Sequence, residues 1–392
     1  MNRFGLFKAD EEKVFKGKKN IWIHAVSVGE VLAVLDIIQD LKKIYPHHQI
    51  VCSTVTITGY KLALEKLSKK DAVIYAPFDF SVVVKKYIRL IKPVIYIATE
   101  TEIWPNLFYF LKKNNVPVII INGRISTKSF KKYRLIKFLM RPILNCVSTF
   151  CMQSYADLHR IKCLGADETR GKMVGNLKFD TVEHSSFKEV YTGFDSTTDI
   201  LVAGSTHPGE EDIIIDIYKK LVHEFKNLRL IIVPRHIDRE EEVSQIIQNE
   251  ELKPVRFSEL KKEKLTAEHV LVVDQIGILR NLYVNAKLVF IGKSFKVGGA
   301  QNMIEPLAFG KPTFVGPRTE NFTDVMRVFL EEKVIFQVQT PDEMIEAMRG
   351  ILVYPEIADE LGLKARAVIE KNVGAKEKTI KAIRYLMQNS HA

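Results

Sequence analysis

Cysteine is scarce in this chain and does not pair by spacing. Cys52, Cys146, Cys151 and Cys163 form no CxxC, so neither a disulfide framework nor a thiolate zinc site is suggested. They read as reduced thiols of a cytoplasmic protein. The ten histidines make no HxxxH pair, so no metal ion is expected, and no cofactor either. No apolar run reaches the roughly 18 residues that cross a bilayer. The first twenty residues, MNRFGLFKADEEKVFKGKKN, are charged and lack the apolar core of a signal peptide. There is no GxxxxGK[ST] loop, no helix-turn-helix, RNP or zinc motif, no short-period repeat and no low-complexity tract.

What is present is length and charge. At 392 residues two domains are expected, and 46% hydrophobic content is enough for large cores. The net charge of +11 is unevenly divided. Residues 1–180 carry 30 Lys/Arg against 15 Asp/Glu, a net of +15, whereas the remainder is net −4. The first half therefore suits a polyanion: nucleic acid, an anionic membrane or a phosphorylated acceptor. Its densest stretch, STKSFKKYRLIKFLMR (Ser126 to Arg141), interleaves Lys128, Lys131, Lys132, Arg134, Lys137 and Arg141 with Phe130, Tyr133, Ile136, Phe138 and Met140. This reads as one basic amphipathic helix suited to a membrane surface, and equally as a solvated helix face.

Both halves alternate short apolar runs with helical patterns. The runs Ile21–Val26, Gln49–Cys52, Ala72–Tyr75, Val94–Ala98 and Val116–Ile121 are too short for helices, and stretches such as Ser81–Ile91 lie between them. The pattern repeats at Asp199–Ala203, Leu228–Val233, Val270–Val273, Lys287–Ile291 and Pro312–Val315. Alternation of this kind predicts an α/β protein with parallel sheets covered by helices on both faces. The polar segment Asp180–Asp199 separates the two series. The expected domains are residues 1–182 and residues 198–392, the second including the C-terminal helix, with a cleft between them.

Glu30 poses the first functional question. In HAVSVGEVLAVLDII, Ser27 and Glu30 stand three apart before an apolar helical run, which is the capping-box pattern. Ser27 would accept from a first-turn N–H, and Glu30 would reach back to the N–H of Ser27. The same position is also the carboxyl end of a strand, where open α/β sheets bind ligands. Gly29 would let a substrate come close. YIATETEIWPN adds Glu100 and Glu102 after another strand, near Glu30 if the first and fourth strands are neighbours. MVGNLKFD places Asn176 and Lys178 at the end of the first half, facing the expected cleft. In the second half, Gly204-Ser205-Thr206 precede a helix opened by Pro208-Gly209-Glu210. Arg235 and His236 follow a strand, and VDQIGIL follows another. Gly298-Gly299 lead through Gln301-Asn302 into a helix bearing Glu305. Backbone N–H groups of such a turn can take a phosphate, and the acid can take ribose hydroxyls.

In this order, HAVSVGE, STVTITGY, YAPFDF, ETEIWPN, GNLKFD, GSTHPGEE, VPRH and GGAQNMIEPLAFGKP resemble the 3-deoxy-D-manno-octulosonic acid (Kdo) transferases of lipopolysaccharide synthesis, from about Phe4 to the C-terminal helix. The resemblance implies a GT-B glycosyltransferase with two Rossmann-like, doubly wound domains, inverting and metal-independent. The donor would be CMP-Kdo. The acceptor, bound by the first domain, would be the 6′-hydroxyl of a lipid A precursor such as lipid IVA, at the cytoplasmic face of the inner membrane. Carried over by motif, Glu30 would be the general base, and Glu100 and Lys178 would support the transition state. Pro234-Arg235, Ile276-Gly277-Ile278 and Asn302-Met303-Ile304-Glu305 would form the CMP site. Family members usually begin with a membrane-anchoring apolar segment, and NRFGLF resembles the residues just after that anchor. The chain departs from the pattern at Ile278, where Glu is usual, at Lys293, where a second glycine is usual, and at Gln301, where His is common. A GT-B transferase using a UDP-sugar is the alternative enzyme. A non-catalytic protein binding a nucleotide-sugar or a polyanion is the alternative of another class, with nucleic acid disfavoured as partner.

Overall fold

The computed structural model describes residues 3–7, 12–181, 190–260 and 264–389. The chain forms two units, one of Met1–Thr181 with Asn372–Ala392 and one of Val182–Lys371.

The first unit is built on seven strands, β1 (Lys19–His24), β2 (His48–Thr54), β3 (Ala72–Tyr75), β4 (Pro93–Thr99), β5 (Val118–Gly123), β6 (Thr149–Met152) and β7 (Gly171–Met173). All pair in parallel, in the order β3-β2-β1-β4-β5-β6-β7. Parallel strands must be covered on both faces, which is why Ile21, Trp22 and Ile23 are all buried. Trp22, Val51, Tyr96 and Ile120 face the helices Ser81–Ile91, Pro105–Lys113 and Lys137–Leu144. Ile21, Ile23, Ile97 and Ile119 face Val28–Ile44 and Ala375–Asn389. Helix Ser81–Ile91 buries Val83, Val84, Tyr87, Ile88 and Ile91, one stripe at helical spacing, and stops at Lys92, whose φ of 47° cannot continue it.

The second unit repeats the plan with β8 (Asp199–Thr206), β9 (Leu228–Pro234), β10 (Lys253–Arg256), β11 (His269–Val272), β12 (Leu288–Ile291), β13 (Thr313–Val315) and β14 (Phe336–Gln337). Their order is β10-β11-β9-β8-β12-β13-β14, again all parallel. In each sheet the winding direction reverses once, between β1 and β4 and between β8 and β12. At such a switch point the loops diverge and leave a crevice beyond the strand ends.

Two expectations change. Helix Ala375–Asn389 belongs to the first unit, not the second: its start is held by Asp180, whose carboxylate accepts from the N–H groups of Gly374 (2.6 Å) and Lys376 (2.5 Å). The single basic helix is instead two, Thr127–Leu135 and Lys137–Leu144, separated by Ile136 at φ −112°, ψ 28°.

Candidate functional site

Glu30 lies where β1 gives way to helix Val28–Ile44, on the switch-point side of the first sheet. It is 9% exposed. Its carboxylate accepts from the Val26 N–H (2.8 Å, Oε2) and from the Ser27 hydroxyl (3.0 Å, Oε1). This is not the expected capping box. Ser27 is extended (φ −123°, ψ 169°) and makes no side-chain cap bond, so its hydroxyl serves the carboxylate rather than the backbone. Val26 is braced in turn, its carbonyl accepting from Val55 N–H, Thr56 N–H and the Thr56 hydroxyl. Burial pushes the Glu30 carboxyl up to about 7; the Val26 and Ser27 bonds oppose this, and the charges of Glu100 and Glu102 add to it. A Cβ on Gly29 would meet nothing within 4 Å, so the chain beside Glu30 is open.

β1 pairs with β4, the condition on which the sequence put these acids near Glu30, so Glu100 and Glu102 follow the end of the adjacent strand. Glu100 adopts φ 57° and donates its N–H to Ile121 (2.8 Å). Between the two acids, Thr101 is pinned to the end of β5 through Arg124, whose N–H reaches its hydroxyl at 2.9 Å. Burial and the Glu100 charge hold the Glu102 carboxyl above its ordinary range. Asp79, from YAPFDF, accepts from the N–H groups of Asn106 (2.9 Å) and Leu107 (2.8 Å) and so fixes the start of helix Pro105–Lys113, just after this loop. Sequence reasoning gave Asp79 no role, although an acid matched to two orphan helix-start donors is a readable pairing.

Lys178 follows β7, three strands from β4, roughly 14 Å by strand spacing. The segment does not stay there. Leu177 donates its N–H to Asn122 Oδ1 on β5 (3.1 Å), and the short helix Leu177–Thr181 packs against helix Val28–Ile44. Lys178 is thus carried back toward the helix that bears Glu30. Asn176 holds the turn, accepting from Lys178 N–H (3.0 Å) and donating to Gln153 (3.1 Å).

In the second unit every segment singled out from the sequence emerges at the carboxyl ends of its strands. Pro234 is buried at the end of β9, and Arg235 beyond it is exposed. Ile276 is exposed and Gly277 has φ 87°, in the loop between β11 and helix Leu279–Asn285, which Ile278 precedes. Asn302 donates to Glu305 (2.9 Å) and accepts from Ile304 N–H (3.0 Å), capping the five-residue helix Ile304–Ala308 above buried Met303 and Ile304. Burial raises the Glu305 carboxyl, against the pull of Arg280 and Asn302.

The glycine-rich turn differs from expectation. The N–H groups of Gly299, Ala300 and Gln301 are used internally, on the carbonyls of Arg318 (3.1 Å), Lys293 (2.8 Å) and Gly292 (3.1 Å). A phosphate would have to be met by other groups of this rim. The residue that organises the crevice between β8 and β12 is Glu210, fully buried. It accepts from the N–H groups of His207 (3.0 Å), Lys293 (2.7 Å), Ser294 (2.8 Å) and Phe295 (2.9 Å). The sequence showed it only as part of a helix start. Lys293, where the resembling family has glycine, keeps a left-handed φ of 61°.

Two units, each a parallel, doubly wound sheet with polar residues at its switch point, define a GT-B architecture of two Rossmann-like domains. Residues 1–181 match the family model of 3-deoxy-D-manno-octulosonic-acid transferase (kdotransferase). The chain is 30% identical over 379 residues to the 3-deoxy-D-manno-octulosonic acid transferase of Haemophilus influenzae, covering 95% of this chain and 88% of that one. It is 38% identical over 346 residues, 86% of its length, to a bifunctional glycosyltransferase/methyltransferase of Fusobacterium nucleatum, of which it spans about half, 53%. Among solved structures, UDP-GlcNAc 2-epimerase from Neisseria meningitidis shares the fold, with a TM-score of 0.58 at 10% identity over 94% of this chain and 100% of that one. The chain belongs to the Kdo transferase family of glycosyltransferases.

Proposed function

We propose that this chain transfers Kdo from CMP-Kdo to the 6′-hydroxyl of a lipid A precursor such as lipid IVA, with inversion and without a metal ion, at the cytoplasmic face of an inner membrane. The observation that carries the reading is Glu30: a carboxylate at the switch point, oriented by Val26 and Ser27, beside open chain at Gly29 and with its affinity for protons raised to about 7. A base poised near neutrality can take the acceptor hydroxyl's proton as its oxygen bonds the anomeric carbon of Kdo. The bond from that carbon to the CMP phosphate breaks, and its electron pair leaves with CMP. Glu100 and Lys178 support the transition state. Arg235 meets the departing phosphate. Pro234, Ile276-Gly277-Ile278 and Asn302 to Glu305 hold the nucleotide, with the Glu305 carboxyl offered to ribose hydroxyls. The +15 half suits an acceptor with two phosphates.

The test is transfer of labelled Kdo from CMP-Kdo to lipid IVA by the purified chain, with the number of added sugars read by mass. Absence of transfer, together with tight UDP and negligible CMP binding, would replace the donor assignment with a UDP-sugar.

A further inference from the structure

Helix Ala375–Asn389 opens with N–H groups that its own turns do not satisfy. The side chain just before a helix usually meets them, but here that residue is Gly374. Asp180 does so from a distance, Oδ1 accepting from Gly374 N–H (2.6 Å) and Oδ2 from Lys376 N–H (2.5 Å). Asp180 lies in the short helix Leu177–Thr181, two residues after Lys178. These bonds join elements of unequal strength. Ala375–Asn389 has fifteen residues and buries Ala375, Ala382, Ile383 and Met387 in the core beside Ile21 and Ile97. That burial holds it, and water can take its first N–H groups. Leu177–Thr181 is five residues of 3₁₀ helix, with little strength of its own. Buried Leu177 and Phe179 seat it on the core, but apolar burial has no direction. Its rotation is set by hydrogen bonds at its two ends.

The leading end hangs on a ladder of amides. Asn122 Oδ1 accepts from Leu177 N–H (3.1 Å), and the Asn122 carbonyl accepts from Gln153 (2.9 Å). Gln153 accepts from Asn176 (3.1 Å), and Asn176 accepts from Lys178 N–H (3.0 Å). The trailing end is Asp180. Its anchor is itself tied to the helix that bears Glu30, through Lys376 Nζ and Asp40 (3.2 Å). Close seating completes the frame: a Cβ on Gly175 would meet the Ala375 Cβ at 3.3 Å and the Asn372 carbonyl at 3.4 Å.

We propose that Asp180 is a positioning residue, which fixes the direction in which Lys178 is presented by holding its short helix to the start of the last one. The inference goes beyond the proposed function and rests on it only for the part Lys178 plays. If Asp180 merely capped the last helix, its loss would loosen that helix. As a positioning residue, its loss loosens the segment around Lys178.

Two measurements on the full chain test this. In Asp180→Ala, amide hydrogen exchange in peptides within residues 174–181 should quicken about tenfold or more, while peptides within 379–389 keep the wild-type rate. Asp180→Asn retains one acceptor oxygen and should fall between. In Kdo transfer from CMP-Kdo to lipid IVA, Asp180→Ala should lower kcat about 10- to 100-fold and leave KM for CMP-Kdo within about twofold. In a Lys178→Ala background the same change should cost less than about twofold, because what it misdirects is already gone. Faster exchange confined to 379–389, unchanged exchange in 174–181, or the full loss of kcat without Lys178 would each overturn the assignment. If the alanine variant does not fold, Asp180→Asn decides by the same readings. A wild type that transfers no Kdo overturns the reaction, and Lys178→Ala at the wild-type rate overturns the part given to Lys178. In both cases the exchange pattern still decides what Asp180 holds.

Discussion

Replacing Glu30 with Gln isolates charge from shape. The carboxylate takes two hydrogen bonds, from Val26 N–H and the Ser27 hydroxyl. The amide oxygen keeps the first, and its NH₂ donates to Ser27 Oγ once that hydroxyl turns, so no bond is lost. What disappears is a buried charge. A carboxyl whose affinity rises from 4.5 to about 7 on folding holds a proton that the unfolded chain has released. Its stability contribution is therefore complete below pH 4.5 and is lost as pH climbs through 7, a difference of order 3 kcal/mol at pH 8. Glu30→Gln is neutral throughout. It should melt with the wild type at pH 4.5 and above it at pH 8, at roughly 2–4 °C per kcal/mol for a unit of this size. Turnover should fall by about 10²–10⁴, and CMP-Kdo affinity should hold, because the residues proposed to hold the nucleotide lie in the other unit. The wild-type rate should rise with pH through about 7, a limb the mutant lacks. Thermal unfolding at two pH values and Kdo transfer across pH measure both effects. Near wild-type turnover refutes the base; equal melting at pH 8 refutes the buried charge.

Glu210→Gln leaves four converging N–H groups with one acceptor oxygen and an opposing NH₂. A cost of about 3 kcal/mol in denaturant unfolding and a loss of CMP affinity are expected, and unchanged unfolding would show that the loop stands without it. Asp79→Ala strips the start of helix Pro105–Lys113 of its acceptor; about 1–2 kcal/mol of stability and part of kcat should go while CMP affinity, read by calorimetry, stays. Lys293→Gly relieves a left-handed φ and should stabilise by up to about 1 kcal/mol, with a melting curve as the check. Transfer should survive EDTA; abolition by EDTA and rescue by Mg²⁺ would overturn the metal-independent reading.

The parts of this protein that are legible in its sequence are those where local pattern and final environment coincide. β1, β4 and β9 are long apolar runs because both their faces are covered, and the strand–helix alternation sets the rims at which Glu30, Glu100, Arg235 and Asn302 emerge. β7 (GKM), β10 (KPVR) and the two-residue β14 are edge strands. They are held by backbone bonds to a neighbour, which no side-chain pattern records. The last helix is plain in the sequence, but the core it joins is decided by Asp180, nearly two hundred residues before it. The glycine-rich turn reads as a set of free N–H groups, yet folding brings the carbonyls of Arg318, Lys293 and Gly292 to them.

Glu30 gathers these lessons in one residue. Capping and catalysis looked like alternatives because both need an acid at the third position of a helix. In the folded chain the helix start is what aims the carboxylate, through Val26 and Ser27, and those same two bonds pull its proton affinity down. Burial and the neighbouring acids push it up. Two donors alone would leave an ordinary carboxylate, too weak a base to take a proton from a hydroxyl. Burial without donors would leave an acid protonated at neutral pH and unfixed in direction. Only the opposition of the two gives a carboxylate that is both ionisable near pH 7 and held in place, which is what a general base requires.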